Sequence, residues 1–109
     1  MPNSLIYRTM GGGYRPHPDI IKIKVKEYRR RKHLHPDSYT ITDRRITTYV
    51  LSQNFEFTTR EIADFLHVDP RTVRNDVRLM QFHIKIYPLL EQKTTDLYDY
   101  IIYNARYIR

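Results

Sequence analysis

The chain has 109 residues and no cysteine, with 19 Lys/Arg against 12 Asp/Glu, a formal net charge of +7 and a pI near 9.8. This length suits one domain with some extension, and the lack of cysteine excludes disulfides, thiolate metal sites and a catalytic thiol. No apolar run approaches the roughly 18 residues that span a bilayer and no leader pattern opens the chain, so a soluble, unsecreted protein with a polyanionic partner is expected.

The positive charge is unevenly placed. Residues 1–39 hold nine Lys/Arg against three acids, residues 40–82 six against six, and residues 83–109 four against three. Residues 1–19, with Gly11–Gly13, Pro16 and Pro18, read as a flexible arm or an extended loop. The glycines lack the Lys-Ser/Thr pair of a phosphate-binding loop. Residues 20–26, Ile-Ile-Lys-Ile-Lys-Val-Lys, alternate like a half-buried strand whose partner would be the similar stretch 83–87; one amphipathic helix over 19–33 is the alternative. The basic run that follows, Arg29, Arg30, Arg31 and Lys32, can grip phosphates or remain a solvated charge run. His17, His33 and His35 have no metal-site spacing and no cysteine to complete a set, so no metal and no cofactor is expected.

Pro36-Asp37-Ser38 marks a boundary, which predicts an arm over 1–39 and a domain over 40–109. A helix capped by Thr42 or Asp43 is predicted over 43–53, with Ile46, Tyr49 and Val50 inward and Asn54 suited to a left-handed cap.

Residues 58–80 carry the densest set of signals. Thr58 and Glu61 have the spacing of a capping box, and Phe57 and Ile62 that of a hydrophobic staple, so a helix starts here. Asp69 and Pro70 form a second helix start only three residues after the first helix ends. In the second helix Val73, Val77 and Met80 share one face, while Arg71, Arg74, Asn75 and Arg78 share another. Two helices joined by so short a turn, one facing outward with guanidinium and amide groups, suit the major groove, where Arg pairs with guanine and Asn with adenine. Asp76 is expected on the helix surface as a partner for Arg or Lys. Pro88 then starts a last helix towards residue 108, with Leu90, Leu97, Ile101, Ala105 and Ile108 at helical intervals.

At residues 72–77, Thr-Val-Arg-Asn-Asp-Val, the sequence resembles the recognition helix of DeoR-type repressors and of the stage III sporulation protein D family. The likeness to the latter also takes in Tyr49-Val50, Ile62-Ala63, Val68, the pattern Ile86-Tyr87-Pro88-Leu89-Leu90 and a Leu-x-x-Tyr helix with basic residues at its end, covering residues 49–109. The resemblance implies a small trihelical DNA-binding regulator with Arg71, Thr72, Arg74, Asn75 and Arg78 in the reading helix and Arg106 and Arg109 in a basic tail. His67 stands where such turns usually have glycine, at a position that often takes positive φ; His tolerates this better than most residues.

The expected fold is mostly α, a trihelical helix-turn-helix core with an added C-terminal helix, a basic N-terminal extension and the optional short β pair. The expected function is sequence-specific binding of double-stranded DNA by a bacterial or phage transcription regulator in the cytoplasm, associated with the nucleoid. DNA contacts are assigned to Arg71, Thr72, Arg74, Asn75 and Arg78, to Thr59 and Arg60 at the start of the preceding helix, and to Arg29, Arg30, Arg31 and Lys32. Two alternatives stay open: a DNA-recognition module of a recombination, packaging or replication assembly, and a helix-turn-helix used for protein contact. A homodimer through the C-terminal helix is a further expectation. No catalytic constellation stands out, and an enzyme is not expected.

Overall fold

The computed structural model describes residues 16–105, which form five helices: α1 (Pro18–Arg31), α2 (Ile41–Asn54), α3 (Thr59–Leu66), α4 (Pro70–His83) and α5 (Pro88–Ala105). Among the described residues there is no strand, so the architecture is mostly α. The glycines of the expected arm, together with Ile108, Arg106 and Arg109, lie outside the described residues.

The stretch read as a strand is the middle of α1. Alternation misled because Ile23, which supplies half of it, is exposed, whereas Ile21, Val25 and Arg29 are buried at the four-residue spacing of a helical face. The ends favour a helix too. Pro18 occupies the first turn, the His17 ring accepts the Asp19 amide at 3.1 Å, and Arg29, Arg30 and Arg31 lie in the last turn, where cations suit the helix dipole. The amides of His33 and Leu34 return to the carbonyls of Arg30 and Arg29, and His33 takes φ 61°, so this histidine closes a helix. The other half of the expected β pair, residues 83–87, is the end of α4 and a tight turn in which the Ile86 and Tyr87 amides both bond the His83 carbonyl.

α2 starts earlier than expected because Thr40, rather than Thr42 or Asp43, is its cap; the Thr40 hydroxyl accepts the Asp43 amide at 3.1 Å. At its other end Glu56, not Asn54, takes the left-handed conformation, with φ 59°. The chain can then bury both Phe55 and Phe57.

α2 is the shared element. It packs on α4 through one flank and on α5 through another, while α1 lies on α5 and the short α3 lies on α4 and α2. Ile21 and Val25 of α1, Val50 and Leu51 of α2, Ile62, Val73, Met80, Leu97 and Ile101 thereby enter one continuous core. Each such side chain stabilises by about 1.5–3 kcal/mol relative to exposure. Residues 18–31 of the expected arm therefore contribute to the same core as residues 40–105. The α5 stripe also turns inward: Leu97, Tyr98, Ile101, Ile102 and Ala105 are buried and Leu90 half-buried. Leu89 and Tyr103 of the same helix stay exposed. No helix among the described residues is long and apolar enough to cross a membrane.

Candidate nucleic-acid interface

Residues 58–83 fold as their capping signals dictate. The Thr58 hydroxyl accepts the Glu61 amide at 3.1 Å and the Glu61 carboxylate accepts the Thr58 amide at 2.7 Å, which completes the capping box. Phe57 and Ile62, the two halves of the staple, are both buried. His67 ends α3 with φ 58° and ψ 49°, and the amides of His67 and Val68 both return to the Ala63 carbonyl. This is the left-handed turn that the sequence places at His67. The Asp69 carboxylate then accepts the Arg71 amide at 2.7 Å, starting α4 with Pro70 in its first turn. That bond, reinforced by the charges of Arg71 and Arg74, holds the exposed Asp69 carboxyl below the usual carboxylate range.

α4 has two chemically distinct sides. Val73 and Met80 are buried, whereas Arg71, Arg74, Asn75 and Arg78 are exposed and together line a shallow depression; Thr72 is half-buried beside them. Within this face Arg78 donates to Asn75 Oδ1 at 2.6 Å, so Asn75 keeps its amide hydrogens for a ligand and its carbonyl side already has a partner. Opening that bond frees both ends of the amide and one end of the guanidinium.

What orients this face is Asp76. It is fully buried rather than a surface partner, and accepts from Arg44 Nε and Nη2 at 2.7 and 3.0 Å and from Arg45 Nε at 3.3 Å. The fork of Arg44 pins α4 to the first turns of α2 with fixed rotation, because a bidentate pair tolerates little change in angle. The bond to Asp76 also raises the Arg44 guanidinium above its already high ordinary value. Sequence could have found this: residues 73, 76, 77 and 80 form one helical stripe, and a carboxylate on an apolar stripe requires a cation from elsewhere. Only the fold says that Arg44 and Arg45 supply it.

No protein-family model, curated protein or solved structure matches this chain.

The other assigned residues divide. Arg60 is exposed and Thr59 half-buried at the start of α3. Arg30, Arg31 and Lys32 are exposed at the end of α1, with the Arg31 guanidinium 5.7 Å from the Tyr100 ring and the Lys32 ammonium 5.5 Å from the Tyr28 ring. These cations sit on the α1–α5 layer, whereas the α4 face belongs to the layer built with α2 and α3. Arg29 is not available to a phosphate. It is 4% exposed, donates to the carbonyls of His35 and Ser38 at 2.8 Å each, pairs with Asp43 at 3.4 Å and lies 3.8 Å from the Tyr39 ring. Each of its three guanidinium nitrogens has a partner within the α1–α2 connection. His35 likewise has a local task, since its Nδ1 accepts the Asp37 amide at 3.0 Å.

Proposed function

We propose that the chain binds duplex DNA through a helix-turn-helix in which α3 supports and α4 reads the major groove, and that it regulates transcription by occupying its site. The observation that carries this reading is the two-sided α4: Arg71, Arg74, Asn75 and Arg78 face water together while Asp76 behind them is locked by Arg44 and Arg45. A face of that composition can donate paired hydrogen bonds to guanine and exchange them with adenine, and a rotationally fixed helix makes such contacts selective for base identity. The amino-terminal turn of α3, with Thr59 and Arg60, suits a phosphate, because free backbone amides and the helix dipole favour an anion there. Arg30, Arg31 and Lys32 add positive potential and hence salt-dependent affinity without sequence preference. The reading agrees with the resemblance of residues 49–109 to the stage III sporulation protein D family.

The test is selection of bound sequences from a random duplex pool at physiological salt, followed by titration of the enriched duplex against a scrambled one. A short enriched motif with an affinity ratio of about 10³ or more is expected of a specific reader. Uniform, steeply salt-dependent binding would overturn base readout, and no binding at all would overturn the DNA assignment.

A further inference from the structure

The lock behind α4 carries more positive charge than it neutralises. Arg44 and Arg45 both pair with Asp76 and, among the described residues, with no other acid. A guanidinium keeps its proton in proteins, so one carboxylate set between two of them leaves one positive charge uncompensated. Donors are left over as well. Arg44 uses Nε and Nη2 on the carboxylate and Arg45 uses Nε, whereas Arg44 Nη1 and both Nη atoms of Arg45 have no hydrogen-bond partner among the described residues. The two side chains are 23% and 29% exposed, so their ends reach water while the bonds to Asp76 hold them in place.

The place of this surplus is set by α4. An α-helix turns about 100° per residue, so around the α4 axis Thr72 lies about 60° from Asn75, and Asp76 about 40° beyond Thr72. The lock therefore adjoins one edge of the face formed by Arg71, Arg74, Asn75 and Arg78, with the half-buried Thr72 between them. An α-helix with its side chains is about 10–12 Å across and the major groove about 12 Å wide. The flanks of a helix seated there meet the phosphodiesters of the groove walls, not base edges.

We infer that Arg44 and Arg45 together clamp a backbone phosphate on the wall of the groove that α4 enters, with Asp76 as the positioning residue for both. The inference deepens the DNA-binding reading above and rests on it. A phosphodiester carries one negative charge, which matches the one left over, and its two unesterified oxygens suit the parallel N–H donors of a guanidinium. The carboxylate that fixes the rotation of α4 then also ties that rotation to the DNA backbone. Phosphate contacts set register and orientation on a duplex while base contacts specify, so the clamp presents Asn75 and its neighbours to the bases at a defined angle.

Salt titration of the full chain on the selected duplex and on a scrambled one, read by fluorescence anisotropy, tests this with Arg45→Gln. The Arg45 bond to Asp76, at 3.3 Å, is the longest of the three, so the fork of Arg44 survives the change. Loss of one phosphate contact lowers the slope of log affinity against log salt by about 0.9 and weakens binding about tenfold, by the same factor on both duplexes. Arg45→Lys keeps a cation at the site and recovers the slope. A residue that only held α4 in place behaves differently: Arg45→Gln then weakens the selected duplex alone at an unchanged salt slope, and that result overturns the inference. So does an Arg45→Gln chain that matches the wild type on both duplexes, or an Arg45→Lys chain with the lowered slope of Arg45→Gln. The two readings fail separately, since a wild-type chain that binds duplex with a slope indifferent to Arg45 loses the clamp alone. A wild-type chain that binds no duplex overturns the DNA-binding reading and the clamp with it.

Discussion

Replacing Asp76 by Asn should be among the most destabilising isosteric changes available to this chain. The carboxylate is 1% exposed and accepts three guanidinium hydrogen bonds, at 2.7, 3.0 and 3.3 Å. Asn keeps the shape but loses the charge, and it turns an NH2 donor towards guanidinium donors. Charge-assisted bonds contribute about 1.5–3 kcal/mol each, and stripping one partner from a buried pair costs about 3–5 kcal/mol. Arg44 and Arg45 are 23% and 29% exposed, so water recovers part of the loss. We therefore expect a net cost of about 3 kcal/mol, the low end of that range. For a domain of this size, one kcal/mol moves the melting temperature by roughly 4–8 °C, which predicts a decrease of roughly 12–24 °C. Thermal melts followed by far-UV circular dichroism at pH 7 read this directly. Arg44→Ala in the Asp76→Asn background should cost far less than in the wild type, since both changes remove one interaction. An Asp76→Asn variant melting within about 3 °C of the wild type, or strictly additive costs in that cycle, would refute the claim that this pair locks α4 on α2.

Three further expectations concern separate parts of the molecule. Arg29→Ala, which strands two carbonyls and Asp43, should lose about 3 kcal/mol in urea denaturation while leaving the duplex affinity of the folded fraction unchanged; a loss of DNA affinity without a loss of stability would restore Arg29 as a phosphate contact. The Tyr39 hydroxyl is buried without a hydrogen-bond partner among the described residues, and burial pushes its pKa up to about 12. The folded chain then holds this proton while the unfolded chain loses it above pH 10, so this contribution to stability is lost as pH rises from 10 through about 12. Tyr39→Phe should be neutral or stabilising by up to about 1 kcal/mol at pH 7 and should flatten the alkaline decline in stability; an unchanged alkaline limb would contradict this assignment. On the proposed reading face, Arg74→Ala and Asn75→Ala should each lose about 1–3 kcal/mol on the selected duplex and much less on scrambled DNA, measured by fluorescence anisotropy. Equal losses on both duplexes would sink direct readout.

The parts of this protein legible from sequence are those whose physics is local. Capping is decided within four residues, so Thr58 with Glu61, Asp69 with Pro70, the left-handed turn at His67 and the outward grouping of Arg71, Arg74, Asn75 and Arg78 all follow from the chain alone. The same locality explains the failure over residues 20–26. Alternating Ile and Lys satisfy a strand only if another strand pairs with them, and the pattern cannot report that the partner is instead the face of α5.

Tertiary structure decided whatever depends on a distant group. Arg29 and its neighbours Arg30 and Arg31 are indistinguishable in the sequence, yet one is buried around carbonyls six and nine residues away while the others stay in water. Asp76 looks like a surface acid until Arg44 and Arg45, more than thirty residues earlier, arrive beside it. The fate of the apolar surface was settled in the same way. The α5 stripe is absorbed by α1 and α2, while Phe82, Ile86, Tyr87 and Leu89, like Ile23 and Ile41, stay exposed. A charge or an apolar side chain states its own need for a partner in the sequence; which group answers it is fixed only when the helices pack.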